Sequence, residues 1–262
     1  MFDISQIKKE QIIDGDKFED LKNLPGITYL KTDSAIELLK NCKTPCPPNQ
    51  ILITHNGDYP ITPELIRRAE ILGFPHHWFA QNVLTRHPKL TPIPIGLERT
   101  RWFSEMRKRD TIFEYMKKSD INSTNLCLAN FSLNTNRTQR KACLDNCRSY
   151  STLAVKDSVI QEPYRVFLES ILAHHFVLCP EGNGIDTHRL WETLYLGRIP
   201  VVTHNETMES FKDLPILILP SWDCLSKEVL EKNLYDFQNG RIHYTLEKIN
   251  FHYWEKKING IL

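Results

Sequence analysis

FVLCPEGNGIDTHRLWETLYLGRIPVVT, residues 176–203, decides the fold of this 262-residue chain. Its two ends, residues 176–179 and 199–202, are short apolar runs typical of strands in a parallel sheet that is covered on both faces. Gly197 favours the end of a helix, and Pro200 just beyond it fits the first residues of a strand. The stretch therefore predicts a buried strand, a turn, a helix and a second buried strand.

The turn between these strands predicts an anion site. Gly182 and Gly184 allow the backbone to turn sharply and to approach a ligand closely, and Asn183 lies between them. Asp186 or Thr187 can cap the helix that follows. Because a helix N-terminus directs free N–H groups toward the crevice beyond the strands, we expect the residues of this turn to bind a phosphate.

The helix predicted next carries three polar side chains on one face. His188 and Glu192 lie one turn apart, as do Arg189 and Glu192, whereas Leu190 and Leu194 lie on the opposite side. The planar donors of Arg189 suit a diphosphate. Glu192 can accept hydrogen bonds from two sugar hydroxyls, as a ribose offers, and His188 joins the pair as a binding residue. The alternative is that Arg189 and Glu192 form only a surface ion pair, which contributes little to stability.

A resemblance to a known family extends this interpretation along the chain. PEGNGIDTHRLWETLYLGRIPVV resembles the nucleotide-sugar signature of exostosin-like glycosyltransferases. ILITHNGDYPIT, HHWFAQN and HPKLTPIPIGLE, within residues 51–98, resemble the acceptor-side domain of small exostosin-like proteins. LCLANFSLNTNRTQR, residues 126–140, resembles the start of their donor-binding domain. The resemblance implies an α/β fold of the GT-B type, in which two Rossmann-like, doubly wound domains face a cleft.

The order of the predicted elements fits two such domains, because strands alternate with helices in both halves and this pattern implies parallel sheets. In the first half we expect strands at residues 27–30, 51–54, 78–81 and 91–95 and helices at 35–42 and 63–72. In the second half we expect further strands at 126–130 and 216–219 and further helices at 138–147, 164–172, 226–237 and 245–258. The charged residues 104–122 mark the join, which predicts an acceptor-side domain over residues 1–120 and a nucleotide-sugar-binding domain over residues 121–262.

Two arginines follow the strand predicted at residues 126–130. Arg137 and Arg140 lie where a loop rich in Ser, Asn and Thr meets a helix, and such a loop faces the crevice and can cap the helix. Basic side chains are slightly unfavourable at a helix N-terminus, so their presence there favours a binding role. We assign Arg137 or Arg140, together with Arg189, to the diphosphate. The alternative is a solvated helix start.

The general base is expected from the first half, at the carboxyl ends of its strands. Asp58 is the first candidate, because a carboxylate can take the proton of an attacking hydroxyl. His55 is the second, because histidine titrates near neutral pH. Glu98, at another strand end, is the third. Asp58 can instead form only an Asx turn with Gly57.

The strand-end Glu181 and the last helical segment allow two interpretations each. Glu181 is expected to contact the hydroxyls of the donor sugar or to tether the glycine turn. It lies eleven residues before Glu192, whereas the better-known retaining GT-B enzymes place a glutamate nearer to the helix glutamate, so a retaining mechanism is not carried over. The family resemblance implies inversion instead. Phe251, Tyr253 and Trp254 are expected to anchor the last helix to the first domain or to pack on the second.

Composition and motifs disfavour several other classes of protein. A net charge of +1 gives no bulk attraction to nucleic acid or to an anionic membrane. A transmembrane segment is not expected, because the chain contains no run of apolar residues long enough to span a bilayer. The start, MFDISQIKKEQIIDGD, is polar and unlike a signal peptide. The resembling eukaryotic proteins carry a membrane anchor, so this chain is expected to be a cytoplasmic enzyme, which Met1 favours, or else a trimmed catalytic domain. The chain has neither GxGxxG nor GxxxxGK[ST], which disfavours a dinucleotide enzyme and a kinase or ATPase.

The cysteines predict free thiols. Seven cysteines are an odd number, and without a secretory signal they indicate a reduced state. Two pairs, Cys42 with Cys46 and Cys143 with Cys147, have a spacing that raises the possibility of zinc, but they lack the CxxC or histidine partners of a structural zinc site. Free or buried thiols are the favoured interpretation.

Together these features predict an inverting glycosyltransferase. The family resemblance implies that cationic side chains and a helix dipole replace a metal at the leaving group, so neither a metal nor another cofactor is expected. The substrates would be a nucleotide sugar, with a UDP-sugar favoured over a GDP-sugar, and a hydroxyl of a glycan or glycoconjugate. The alternative is a nucleotide- or nucleotide-sugar-binding module without transfer activity.

Overall fold

The computed structural model of this chain describes residues 2–41, 49–99, 108–118, 123–155 and 163–261. Within these ranges nine strands form two sheets, and every strand pairs in parallel with its neighbours. The predicted α/β class with parallel sheets is therefore confirmed.

The first sheet has the strand order β1-β2-β3-β4. Its strands are β1 (Ile27–Lys31), β2 (Ile51–His55), β3 (His77–Ala80) and β4 (Leu90–Pro92). The helices of this half are α1 (Gly15–Asp20), α2 (Thr32–Asn41) and α3 (Pro63–Ile71). Among the described strands the order never reverses, so the predicted double winding is not seen in this sheet. Sequential order with right-handed crossovers places the connecting helices on one face.

The two faces of the first sheet follow the alternation of its side chains. Ile51, Ile53 and Phe79 face a core that continues into the second half of the chain. Trp78 and Ala80 face the opposite way, against apolar side chains of α2 and α3. The first half is therefore packed on the second through one face of its sheet and covered by its own helices on the other.

The second sheet has the strand order β6-β5-β7-β8-β9. Its strands are β5 (Asn125–Ala129), β6 (Thr152–Leu153), β7 (His174–Leu178), β8 (Ile199–Thr203) and β9 (Leu217–Leu219). The other described α-helices are α4 (Lys108–Met116), α5 (Arg137–Cys147), α6 (Tyr164–Leu172), α7 (His188–Tyr195), α8 (Glu206–Glu209), α9 (Lys227–Gln238) and α10 (Phe251–Asn259). The first strand of this half lies inside the sheet, with later strands on both sides of it, which is a doubly wound order.

Most of the predicted elements are confirmed to within a few residues, and the differences have local causes. The last helix starts at Phe251, because Asn250 caps it and residues 247–249 form a separate 3-10 turn. α1, α4, α8 and the two-residue strand β6 were not predicted. α4 lies within the charged segment assigned to the join, where its Tyr115 hydroxyl donates to Glu169 of α6 over 2.8 Å.

The C-terminal helix α10 contacts both halves of the chain. Phe251 packs edge-to-face on Phe18 of α1, with ring centroids 5.4 Å apart. Trp254 meets Phe211 of the second half, with ring centroids 6.3 Å apart. Both interpretations of these aromatic residues are therefore partly right. None of the helices in the described ranges is both long and apolar enough to cross a membrane.

Candidate functional site

The strand order of the second sheet locates a crevice. The order reverses between β5 and β7, and ligands of open α/β sheets bind outside the carboxyl ends of the strands at such a switch point. The segments that leave these two strands are residues 130–136 and 179–187. The second of them is the turn that the sequence predicts as an anion site, so the turn lies where the topology places a ligand.

A cleft of about 780 Å³ opens at this point and is lined from both sheets. From the second sheet come Thr135, Asn136, Gly182, Asn183 and His188. From the first sheet come residues that follow each of its four strands, namely Asp33, Asn56, Gly57, Asp58, Tyr59, Pro60, Gln81, Ile95, Glu98 and Arg99. The carboxyl ends of the two sheets therefore meet in one cleft, which contains three carboxylates from the first half.

The glycines of the turn are needed for packing rather than for a left-handed backbone, because neither Gly182 nor Gly184 has a positive φ. A Cβ atom on Gly182 would lie 2.9 Å from Nη2 of Arg140, and one on Gly184 would lie 2.7 Å from Nδ2 of Asn82. The backbone of the turn was expected to approach a ligand closely. In the structure the groups that come this close to it are the side chains of Arg140 and Asn82. Gly197, by contrast, ends α7 with φ 66°, as predicted.

Arg140 connects the two segments that leave the switch-point strands. Its Nε donates to the backbone oxygen of Glu181 over 3.0 Å, and its Nη1 donates to the backbone oxygen of Ser132. The side chain is buried, and burial, aided by the nearby charge of Arg189, lowers the pKa of Arg140 to about 10. Arg140 therefore holds the loop and the turn together, a role that the sequence did not predict.

Arg137 and Asn136 stand at the start of α5. Arg137 is exposed and does not line the cleft, although it is the first residue of the helix. Asn136 caps α5, because its side chain accepts from the backbone N–H of Gln139 over 3.3 Å. The predicted capping loop is confirmed, and it is Asn136 and Thr135 that reach the cleft.

The three polar residues of α7, His188, Arg189 and Glu192, lie in three different environments. Nδ1 of His188 lies 2.7 Å from the backbone oxygen of Gly96 and must donate to it, while Nε2 lies 3.4 Å from the Glu98 carboxylate in the cleft. Arg189 places its guanidinium 5.7 Å from the ring centre of Phe167, with a buried Nε that has no hydrogen-bond partner among the described residues. The surface ion pair of Arg189 with Glu192 is not formed.

Glu192 is buried at 4% exposure, one turn along α7 from His188. It lies close to Tyr164 at the start of α6, where burial, and after it the charge of Glu192, raises the pKa of the Tyr164 hydroxyl well above its usual range. A buried carboxylate beside a phenol can hold hydroxyl groups of a ligand by hydrogen bonding. Of the three polar residues of α7, His188 lines the cleft, whereas Arg189 and Glu192 do not, so the binding role of Glu192 stays a prediction.

Asp186 and Thr187 do not cap α7 through their side chains. Thr187 occupies the N-cap position, but its buried hydroxyl has no hydrogen-bond partner within the described ranges. The carboxylate of Asp186 accepts from the backbone N–H of Ile95 over 2.7 Å and from Nε1 of Trp191 over 2.9 Å. Burial raises the pKa of Asp186 to about 6. This carboxylate thus fastens the turn to the end of the first sheet.

The structure brings Asp58 into the cleft but not His55. Asp58 is exposed and lines the cleft, as its position beyond β2 predicts. His55 is fully buried with its ring stacked 5.0 Å from that of Phe18, and its Nε2 lies 2.9 Å from the backbone oxygen of Pro94. Burial lowers its pKa to about 4. The cause is alternation along β2, since His55 shares the core-facing side of Ile51 and Ile53.

Glu181 lies beside the switch point without lining the cleft. Its carboxylate accepts from Nδ2 of Asn205 over 3.3 Å, so the side chain is held toward the end of β8. Burial raises its pKa. Its backbone oxygen, rather than its carboxylate, tethers the turn through Arg140.

Asn82 joins the two halves of the chain beside the cleft. It is the second residue after β3, with φ 56°, and is fully buried between the two halves. A positive φ is tolerated by asparagine more readily than by most residues, which is a weak signal in a sequence. Its three side-chain hydrogen bonds depend on tertiary contacts and cannot be read from the sequence.

The described cysteines are free thiols, four of them buried and Cys224 exposed. Cys143 and Cys147 lie on one face of α5, while Cys42 and Cys46 fall outside the described residues. In the described part of the chain, groups of three or more His, Cys, Asp or Glu side chains that could hold a metal ion are not found.

No protein-family model matches this chain, and no curated protein matches it significantly. The resemblance to exostosin-like glycosyltransferases therefore stays a prediction.

Proposed function

We propose that this protein is an inverting glycosyltransferase of the GT-B type, which moves a sugar from a nucleotide sugar to a hydroxyl of a glycan or glycoconjugate. The observation that carries the proposal is the cleft where the carboxyl ends of two parallel sheets meet, at the switch point of the second sheet. Such a crevice suits a nucleotide on one side and an acceptor on the other.

The second sheet is the proposed donor side. A diphosphate would lie against Gly182 and Asn183, close to the N-termini of α5 and α7, whose free N–H groups favour an anion. His188 adds a donor there when it is protonated. Arg189, whose buried Nε has no partner in the part of the chain that the structure describes, is proposed as a second contact. The buried carboxylate of Glu192 would accept from the two hydroxyls of the ribose.

The first sheet is the proposed acceptor side, and it supplies the base. The acceptor oxygen attacks the anomeric carbon, the bond from that carbon to the diphosphate oxygen breaks, and the nucleoside diphosphate leaves with the electron pair. The base takes the acceptor proton as the new bond forms, and the anomeric configuration inverts. Asp58 is the first candidate because it is exposed in the cleft, and Glu98 beside His188 is the second.

Donor binding is tested first. Thermal-shift titrations with UDP, GDP, CMP and dTDP should show stabilisation by at least one nucleotide, with UDP expected to act most strongly. Glu192→Gln should abolish this stabilisation if the carboxylate holds the ribose. Glu231→Gln, on the exposed surface of α9, is the matched control and should bind as the wild type does. If no nucleotide stabilises the wild-type protein, the proposal fails.

Transfer is tested by release of nucleoside diphosphate from a panel of nucleotide sugars with a glycan acceptor array. Asp58→Asn should keep nucleotide binding and lose turnover by roughly 100-fold or more, as expected for a missing general base. If Glu98→Gln loses turnover to this extent while Asp58→Asn stays active, then Glu98 rather than Asp58 is the base. Activity that persists in excess EDTA is expected for the proposed metal-independent reaction. Nucleotide binding without any turnover would favour the binding-module alternative.

A further inference from the structure

We infer that Asn82 is a positioning residue that holds the loop carrying the proposed base, residues 56–58, against the proposed donor turn, residues 182–186. That Asn82 holds these two segments together is inferred from its hydrogen bonds alone. Its consequence for turnover rests on the proposed function.

The side-chain amide of Asn82 bonds both loops at once. Nδ2 donates to the backbone oxygen of Gly57 over 3.2 Å and to that of Asp58 over 3.3 Å. Oδ1 accepts from the backbone N–H of Asp186 over 2.9 Å. Carbonyl oxygens only accept and an N–H only donates, so a single orientation of the amide satisfies all three bonds. Aspartate, which has the same shape, cannot do so.

Among the described residues, the hydrogen bond to the backbone oxygen of Asp58 comes from Asn82 and not from its neighbour Gln81. The neighbouring Gln81 also holds this loop, since its Nε2 donates to the backbone oxygen of Gly57 over 3.1 Å and its Oε1 accepts from the backbone N–H of Asn56 over 3.0 Å. The backbone oxygen of Asp58 has its bond from Asn82 instead. Loss of the Asn82 amide group would therefore release the part of the loop that carries the carboxylate.

The donor turn is shaped to fit the same side chain. Gly184 lies so close that a Cβ atom there would be 2.7 Å from Nδ2 of Asn82 and 3.3 Å from its Cγ. The N–H of Asp186 then completes the contact, and the Asp186 carboxylate binds Ile95 of the first half. Asn82 thus fixes the distance between the two sides of the cleft, which a base and a donor must keep constant.

Two substitutions distinguish the bonds that Asn82 makes to residues 57 and 58 from the bond that it makes to Asp186. Asn82→Asp keeps an oxygen for the N–H of Asp186 but sets a second oxygen against the carbonyls of Gly57 and Asp58. Asn82→Gly tolerates the positive φ and removes every side-chain bond. The matched control is Asn233→Asp in α9, where Nδ2 donates to the backbone oxygen of Val229 over 2.8 Å far from the cleft.

Residue-resolved amide hydrogen exchange measures how firmly each of the two segments is held, and it needs no substrate. The N–H of Asn56, bonded to Oε1 of Gln81, and the N–H of Ile61, bonded to the backbone oxygen of Asn82 over 2.8 Å, lie at the two ends of the loop. In Asn82→Asp we expect their exchange to rise roughly tenfold or more and exchange at Asp186 to stay unchanged. In Asn82→Gly exchange should rise at all three amides, and in Asn233→Asp at none of them. Unchanged exchange at Asn56 and Ile61 in Asn82→Asp would overturn the inference, as would an equal rise at Asp186 in that variant.

Kinetics then test the consequence for the reaction. A displacement of about 1 Å at a catalytic group can cost about 100-fold in rate, so Asn82→Asp should lower kcat by roughly 10- to 100-fold while the Kd for UDP changes less than about twofold. Asn82→Gly should weaken both. A kcat of wild-type size in Asn82→Asp would refute the positioning role. A wild-type protein that transfers no sugar would refute the proposed function alone, because hydrogen exchange still decides the coupling of the loops.

Discussion

Asp186→Asn should change the stability of this protein in a way that depends on pH. The Asp186 side chain is 2% exposed, and burial raises its pKa from 3.8 to about 6, against the opposing effects of its N–H donors and of the charge on His188. A folded-state pKa above the unfolded value means that the folded protein favours the protonated acid. The stabilising contribution of this protonation is complete below about pH 4 and is lost as pH rises through about 6.

The size of the effect follows from the shift. A shift of about two pKa units corresponds to about 3 kcal/mol at 1.4 kcal/mol per unit. Asparagine does not titrate, and it also turns an NH₂ group toward the N–H donors of Ile95 or Trp191, which costs about 1–3 kcal/mol at every pH. The variant should therefore be less stable than the wild type at about pH 4, by a margin that shrinks by about 3 kcal/mol on reaching about pH 7.

Urea unfolding of both proteins at several pH values between about 4 and 7.5 measures this margin. The other titrating groups largely cancel in the difference between wild type and variant, so its slope with pH reports Asp186. A margin that stays constant or grows with pH would refute the reasoning, because it would mean that burial does not raise the pKa of this carboxyl.

Two further outcomes are expected. Tyr195→Phe should lower the free energy of unfolding by about 2–4 kcal/mol in urea titrations, because the buried hydroxyl accepts from the N–H of Ile13 over 2.7 Å and donates to the backbone oxygen of Ile249 over 2.8 Å; a loss below about 0.5 kcal/mol would contradict this. With Cys42 and Cys46 replaced by serine, the native protein should react with a thiol reagent at Cys224 alone, and rapid labelling of a second thiol before unfolding would be the opposing result. The thiols expected to stay protected by burial are Cys127, Cys143, Cys147 and Cys179.

Local pattern was sufficient to predict most of the fold. The apolar runs at residues 176–179 and 199–202 became β7 and β8, and the helix between them ends at Gly197, where φ is positive. These features depend on neighbours in the chain, such as alternation, capping and the conformational freedom of glycine. The two-residue strand β6 was missed because so short a segment carries no periodicity.

The candidate site was predictable in its location and less so in its contents. The carboxyl ends of parallel strands lie at one edge of a sheet, so the cleft positions of Asp58, Asn183 and His188 follow from their places in the sequence. His55 was assigned wrongly as a cleft residue, because the sequence did not reveal that it continues the core-facing side of β2. Arg140 was placed at the right loop, but it bonds the backbone there instead of facing the cleft.

The sequence by itself determined the alternation of strands and helices, the parallel α/β class and the glycine turn, since each of these is set by residues close together in the chain. Tertiary structure decided how the three polar residues of α7 are used, because each meets a different neighbour from a distant part of the chain. It also decided the place of Asn82, whose single amide joins residues 57 and 58 to Asp186 more than 100 residues away. Contacts of that range depend on how the two sheets pack, and no local pattern encodes them.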